Sequence, residues 1–166
     1  IAAMNPCPCG YLNDPEKDCR CSPIEIIRYR KRSSGPLLDR IDIHIDVPAV
    51  EVKRLTDRSA AAGESSFTVR TRILAAREKQ LKRFKKRKTI NNSEMSSRDV
   101  KELCDISENA LEKLKQAAET LQLSARAYYK VIKVAQTIAD LADLETIEEQ
   151  HILEALQYRP RNMNQN

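Results

Sequence analysis

Three observations predict a mainly helical protein. Gly occurs three times, Phe twice and Trp not at all in 166 residues, too few turn glycines and strand aromatics for a β-sandwich or barrel. The composition is rich in Ala, Leu, Glu and Lys, which are strong helix formers. From about residue 65 onward, apolar residues return at helical spacing almost to the end. Charged residues make up 32% and apolar residues 41%, enough for a core within a well-solvated surface. The 29 Lys and Arg against 24 Asp and Glu leave a net charge of +5 and a pI near 9.0. That balance suits an anionic partner and equally suits solvated, Lys-rich helix faces. No apolar run approaches the roughly 20 residues of a membrane span, so no membrane partner is expected.

Residues 1–22 are rich in Cys, Pro, Asp and Gly, with little periodicity. The chain opens on Ile1-Ala2-Ala3-Met4, inside an apolar stretch, and we expect a fragment of a longer protein. Ser22 can cap a helix with Pro23 at its first position, running through Ile24, Ile27 and Tyr29 to about Arg32. Ser33-Ser34-Gly35-Pro36 ends it. Ile41-Asp42-Ile43-His44-Ile45-Asp46-Val47 alternates strictly and predicts a strand with one polar face, placed at a sheet edge. Its only candidate partner is the Ile1–Met4 stub, so the rest of the sheet is expected upstream. Residues 59–65 read as a linker.

Helices are then predicted over 66–86, 97–104, 107–121, 124–142 and 146–158. The first carries Phe67, Ile73, Leu74, Leu81 and Phe84. The fourth places Tyr128, Val131, Ile132, Ala135, Ile138 and Ala139 on one face. Ser107 reads as a cap, and Thr146 with Glu149 has capping-box spacing. Residues 160–166 read as a disordered tail. His44, His151, Tyr128 and Tyr129 read as structural. Cys104 reads as a small buried hydrophobe.

Cys7-Pro8-Cys9, nine intervening residues and Cys19-Arg20-Cys21 form two close pairs joined by a short loop. Such a set can wrap one tetrahedral Zn²⁺ with four thiolates. Two disulfides, which need an oxidising compartment, and four free thiols are the alternatives. A closed four-thiolate site has no open coordination position, so zinc here would be structural.

Ala2-Ala3-Met4-Asn5-Pro6-Cys7-Pro8-Cys9-Gly10, Cys19-Arg20-Cys21-Ser22-Pro23 and Ser34-Gly35-Pro36-Leu37-Leu38-Asp39-Arg40-Ile41-Asp42 together resemble the magnesium-chelatase-related AAA+ ATPases of the ComM/YifB type. Ser124-Ala125-Arg126-Ala127-Tyr128, Val134–Leu141 and Glu154–Arg159 agree, in the same order along the chain. The resemblance implies that residues 1–58 are the end of an αβα nucleotide-binding core with a zinc-binding insert at about 7–21. Residues 66–159 would be the helical AAA+ lid. No G-x-x-x-x-G-K-[ST] motif occurs, so this stretch alone is not expected to hydrolyse ATP; ATP and Mg²⁺ belong to the full-length protein.

By motif, Asn5 matches the sensor 1 position, which orients the attacking water, and Arg40 matches the arginine finger, which reaches into a neighbouring subunit's site. Arg126 matches sensor 2, which touches the nucleotide phosphate. On residue type alone, Asn5 is a turn residue before Pro6, Arg40 a surface partner of Asp39 or Asp42, and Arg126 a solvated cation. The family pattern places Arg where this chain has Gln136, which would weaken a lid–nucleotide contact made there. The resemblance further implies a cytoplasmic, hexameric branch-migration helicase acting on DNA in natural transformation. A chelatase-type motor or protein remodeller, and a non-enzymatic zinc-containing DNA-binding domain, are the alternatives; the four-cysteine insert argues for the DNA-processing relatives.

Two basic clusters could meet DNA phosphates. One is Arg28, Arg30, Lys31 and Arg32. The other is Lys79, Lys82, Arg83, Lys85, Lys86, Arg87 and Lys88, for which a solvated helix face or a lid–core contact is the better reading.

Overall fold

The computed structural model describes residues 1–32, 35–38, 40–48, 63–85 and 87–160. Residues 59–62 of the expected 59–65 linker, the tail from 161, Ser33 and Ser34 of the expected helix stop at 33–36, Asp39 and Lys86 lie outside the described residues. The chain divides into two units, Ile1–Ala60 and Ala61–Asn166.

In the first unit, α1 spans Pro23–Lys31. Ser22 accepts from the Glu25 amide, and the Glu25 carboxylate accepts from the Ser22 amide at 2.8 Å, a complete capping box. A short helix α2 covers Gly35–Leu38, and the Arg40 amide closes the following turn on the Leu37 carbonyl at 3.0 Å. The strand predicted at 41–47 does not form, nor does one at 1–4. The alternation fixes which side chains share a face, but a strand exists only where its backbone finds a ladder partner. None is present among the described residues, and Ile45 is 69% exposed. His44 instead lies with Nε2 3.2 Å from both the Leu38 and Ile41 carbonyl oxygens.

The second unit is a helical bundle. Helix α3 covers Ser66–Arg83, a 3₁₀ turn Asn92–Glu94, α4 Ser97–Leu103, α5 Glu108–Thr120, α6 Ala125–Leu141 and α7 Glu149–Gln157. Each of α3 to α6 starts at a serine (Ser65, Ser96, Ser107 and Ser124) whose side chain accepts a backbone N–H from the first turn. This satisfies one of the orphan donors at each helix start. The predicted Thr146 cap is replaced by different chemistry. Thr146–Ile147 forms a short strand β2, parallel to β1 at Asp105–Ile106. Helix α7 then begins beyond Glu148, whose amide donates to His151 Nδ1 at 2.9 Å.

Helices α5 and α6 end alike. Gln122 (φ 48°) and Asp143 (φ 63°) take left-handed conformations. The next amides, of Leu123 and Leu144, reach back to the carbonyls of Ala118 and Ala139 at 3.0 and 2.9 Å. These are Schellman closures without the usual glycine.

Helices α3 and α7 pack on α6, and α5 packs on α7. The core comprises Phe84, Met95, Val100, Ala110, Leu114, Val131, Ile132, Ala135, Ile147, Ile152 and Ala155. Of the apolar residues predicted to pack along α3, only Phe84 enters it. Phe67 (80%), Leu74 (53%) and Leu81 (54%) are exposed. Tyr128 and Tyr129 pack edge to face, centroids 5.5 Å apart, against the core. No helix among the described residues is long and apolar enough to cross a membrane.

Candidate metal centre and nucleotide-site residues

The cysteine loop is built from two tight turns. The Gly10 amide closes the first on the Cys7 carbonyl at 3.1 Å, with Gly10 at φ +84°, a region that disfavours a side chain. In the second, Asn13 is left-handed (φ 65°) and the Asp14 amide returns to the Tyr11 carbonyl at 3.1 Å. Asp14 Oδ1 then accepts the amides of Glu16 and Lys17 at 2.8 and 2.9 Å, turning the chain toward Cys19. Lys17 Nζ sits 4.9 Å above the Tyr11 ring, tying the loop's two limbs.

The four sulfurs, of Cys7, Cys9, Cys19 and Cys21, all lie within 4.8 Å of one another. Cys7 Sγ is 3.4 Å from Cys9 Sγ and 3.7 Å from Cys19 Sγ; Cys9 and Cys19 are 3.6 Å apart. A tetrahedral zinc with bonds near 2.3 Å separates its sulfurs by about 3.8 Å, whereas a disulfide needs about 2.05 Å. The geometry therefore matches a shared ion, and all four cysteines are unbridged. The four thiols are not equally acidic. The backbone amides of Tyr11 and Arg20 donate to the Cys9 sulfur and hold its thiol down at about 6. Burial pushes the Cys21 thiol up to about 12, so a metal binding here would have to displace that proton. The cluster can hold a metal ion such as zinc.

The other predicted residues stand as follows. Asn5 is exposed, two residues before buried Cys7, with its amide beside Gly10. Arg40 is exposed at the turn after α2. Arg28, Lys31 and Arg32 are exposed and Arg30 is half-buried, all at the C-terminal end of α1, where cations also complement the helix dipole. Arg126 is exposed in the first turn of α6, which holds no acidic residue.

Three of the seven residues of the second basic cluster pair with acidic residues inside their own unit. Lys79 pairs with Asp143 at 2.8 Å, Arg83 with Asp140 at 2.6 Å, and Arg87 with Asp99 and, at 2.7 Å, Glu102. Gln136 lies inside the bundle. It is fully buried, and its Nε2 lies 3.4 Å from both Asp140 Oδ1 and the Glu145 carbonyl. Both neighbours are acceptors, which fixes the amide orientation and leaves Gln136 Oε1 buried without a partner. The sequence reading missed the polar network around Asp140. Its signal was there: Gln136 and Asp140 follow Ile132 at four-residue spacing, on a side of α6 where apolar residues are expected. Cys104 is half-buried rather than buried, its Sγ 3.9 Å from Met95 Sδ; burial raises its thiol to about 11.

The chain thus carries a four-thiolate loop followed in sequence by a helical bundle. The family assignment follows from sequence comparison. A family model described as "Magnesium chelatase, subunit ChlI C-terminal" matches residues 63–159, and one described as "Magnesium chelatase, subunit ChlI" matches residues 1–55. The chain belongs to the magnesium chelatase subunit ChlI family. The YifB proteins of Salmonella typhimurium and Escherichia coli are 38% and 37% identical to it over 159 residues. The competence protein ComM of Haemophilus influenzae is 38% identical over the same length. Each alignment covers 96% of this chain but only 30% of the relative.

Proposed function

We propose that this chain is part of an ATP-driven AAA+ motor that migrates branched DNA as a cytoplasmic hexamer and serves recombination during natural transformation. The observation that carries this reading is the joint match to the chelatase family and to a competence protein, together with a four-thiolate cluster of metal-binding geometry.

In this reading Asn5 orients the attacking water at the γ-phosphate, since its amide both donates and accepts. Arg40 reaches a neighbouring subunit's site, where its planar fork neutralises charge on the transferring phosphoryl group. Arg126 contacts the nucleotide phosphate. Its place favours that role, because a cation in the first turn of a helix opposes the dipole and contributes nothing to the helix that holds it. Arg28, Arg30, Lys31 and Arg32 neutralise DNA phosphates without reading sequence. Zn²⁺ on Cys7, Cys9, Cys19 and Cys21 would tie the loop; ATP and Mg²⁺ would bind the full-length protein.

A chelatase-type motor is the second reading, favoured by the wording of the family description. The two separate in a strand-exchange assay. Full-length protein with ATP should convert a labelled four-strand junction into duplex products, and Arg40→Ala should abolish conversion. A junction left intact by active, ATP-hydrolysing protein would favour the chelatase-type or protein-remodelling reading.

A further inference from the structure

Helix α3 is the element through which the chain enters the second unit, and its buried residues among the described ones lie in its C-terminal half. Its buried residues are Ala76 and Gln80, followed by Phe84 at the cap. The stretch from Ser66 to Ala75, about 14 Å of helix, has no buried residue. The C-terminal half is held by a polar cluster. Arg83 Nη2 donates to Asp140 Oδ1 at 2.6 Å; its Nη1 donates to Asp140 Oδ2 and to Asn92 Oδ1, both at 2.9 Å. Asn92 Nδ2 donates to Asp140 Oδ2 at 2.8 Å and to Thr137 Oγ1 at 3.0 Å, and the Asn92 amide donates to Gln80 Oε1 at 3.3 Å. With Gln136 Nε2 added, the fully buried Asp140 carboxylate receives four donors, about its whole accepting capacity.

A buried ion pair of this kind is a poor way to gain stability, because desolvation offsets most of the attraction. It is a good way to fix an angle. Apolar contact is non-directional, whereas a bidentate fork on a carboxylate tolerates one geometry. Asp140 stands on the same side of α6 as Arg126, about 21 Å along the helix.

We propose that Arg83, Asp140 and Asn92 form a clamp that makes α3 a lever: displacement of its N-terminal end is transmitted through α6 to Arg126. Arg83 and Asp140 are then positioning residues for ATP hydrolysis. This rests on Arg126 contacting the nucleotide.

The test uses three variants of the full-length protein: Arg83→Met with Asp140→Leu, Arg83→Lys, and Arg126→Ala. The apolar double variant should keep its melting midpoint, as such swaps of buried pairs do. Its kcat should fall on the order of tenfold to a hundredfold, the scale of a misplaced group, with KM for ATP little changed. Arg83→Lys keeps the charge but loses the fork, and should show a smaller kcat loss in the same direction; it also decides the matter if the double variant does not fold. Wild-type kcat in Arg83→Lys or in a folded double variant, beside a defective Arg126→Ala, would overturn the clamp. Wild-type kcat in Arg126→Ala would instead overturn the nucleotide role of Arg126, and the clamp proposal with it.

Discussion

Cys9 shows how backbone geometry prepares a ligand. The Tyr11 and Arg20 amides both donate to its sulfur and stabilise the thiolate. The account predicts one zinc per chain by native mass spectrometry, with Cys9→Ser losing most of it. A metal-free chain whose intact mass shows two disulfides would contradict this. Asp140 is the opposite case, a carboxylate whose four donors are all spoken for. Removing it leaves Arg83 as a half-buried charge without its fork partner. Asp140→Ala should therefore cost about 3–5 kcal/mol in urea unfolding of this chain, where an exposed carboxylate such as Glu119 should cost almost nothing. The cysteine set was legible in the sequence because ligand spacing is local. The spacing of Gln136 and Asp140 hinted at a buried polar site, but its partner Arg83 was not legible, because Arg83 and Asp140 are 57 residues apart and a Lys/Arg run reads as solvent-facing until its partners are placed.

Helices were legible for the same local reason. Serines mark the starts of α3 to α6, and the structure places those starts within a residue or two of the prediction. Two kinds of element were not legible. The alternating segment 41–47 failed as a strand for want of a ladder, a property of distant chain rather than of the segment itself. The pairing of β1 with β2 was hidden because two-residue strands carry no period. The C-terminal stops of α5 and α6 were also obscured, since Gln122 and Asp143 stand where glycine is usual. Gln122 pairs with no other element through its side chain among the described residues, and its φ of 48° costs an L-residue roughly 1 kcal/mol. Gln122→Gly should accordingly raise stability by about 0.5–1 kcal/mol, read as a higher urea midpoint with an unchanged slope. A loss of that size would show that the closure is held by the Gln122 side chain instead.

Taken whole, the second unit should respond to acid in a defined sense. The Ser96 hydroxyl and amide hold the Asp99 carboxyl below its ordinary range. The guanidinium groups of Arg87 and Arg98 do the same for Glu102, and Lys79 does so for Asp143. A folded pKa below the unfolded one gives stability that is present above the unfolded carboxylate value, near 4, and is lost as pH falls through the folded value. Helical signal at 222 nm should thus hold at neutral pH and fail below about pH 4; failure between pH 6 and 8 would place the controlling group elsewhere. The motor reading makes its most direct claim at this scale too, that hydrolysis is coupled to DNA across subunits. The deciding measurement is the rate of ATP hydrolysis by full-length protein with and without branched DNA, in wild type and Arg40→Ala. The account predicts strong stimulation by DNA that Arg40→Ala abolishes; hydrolysis indifferent to DNA would contradict it.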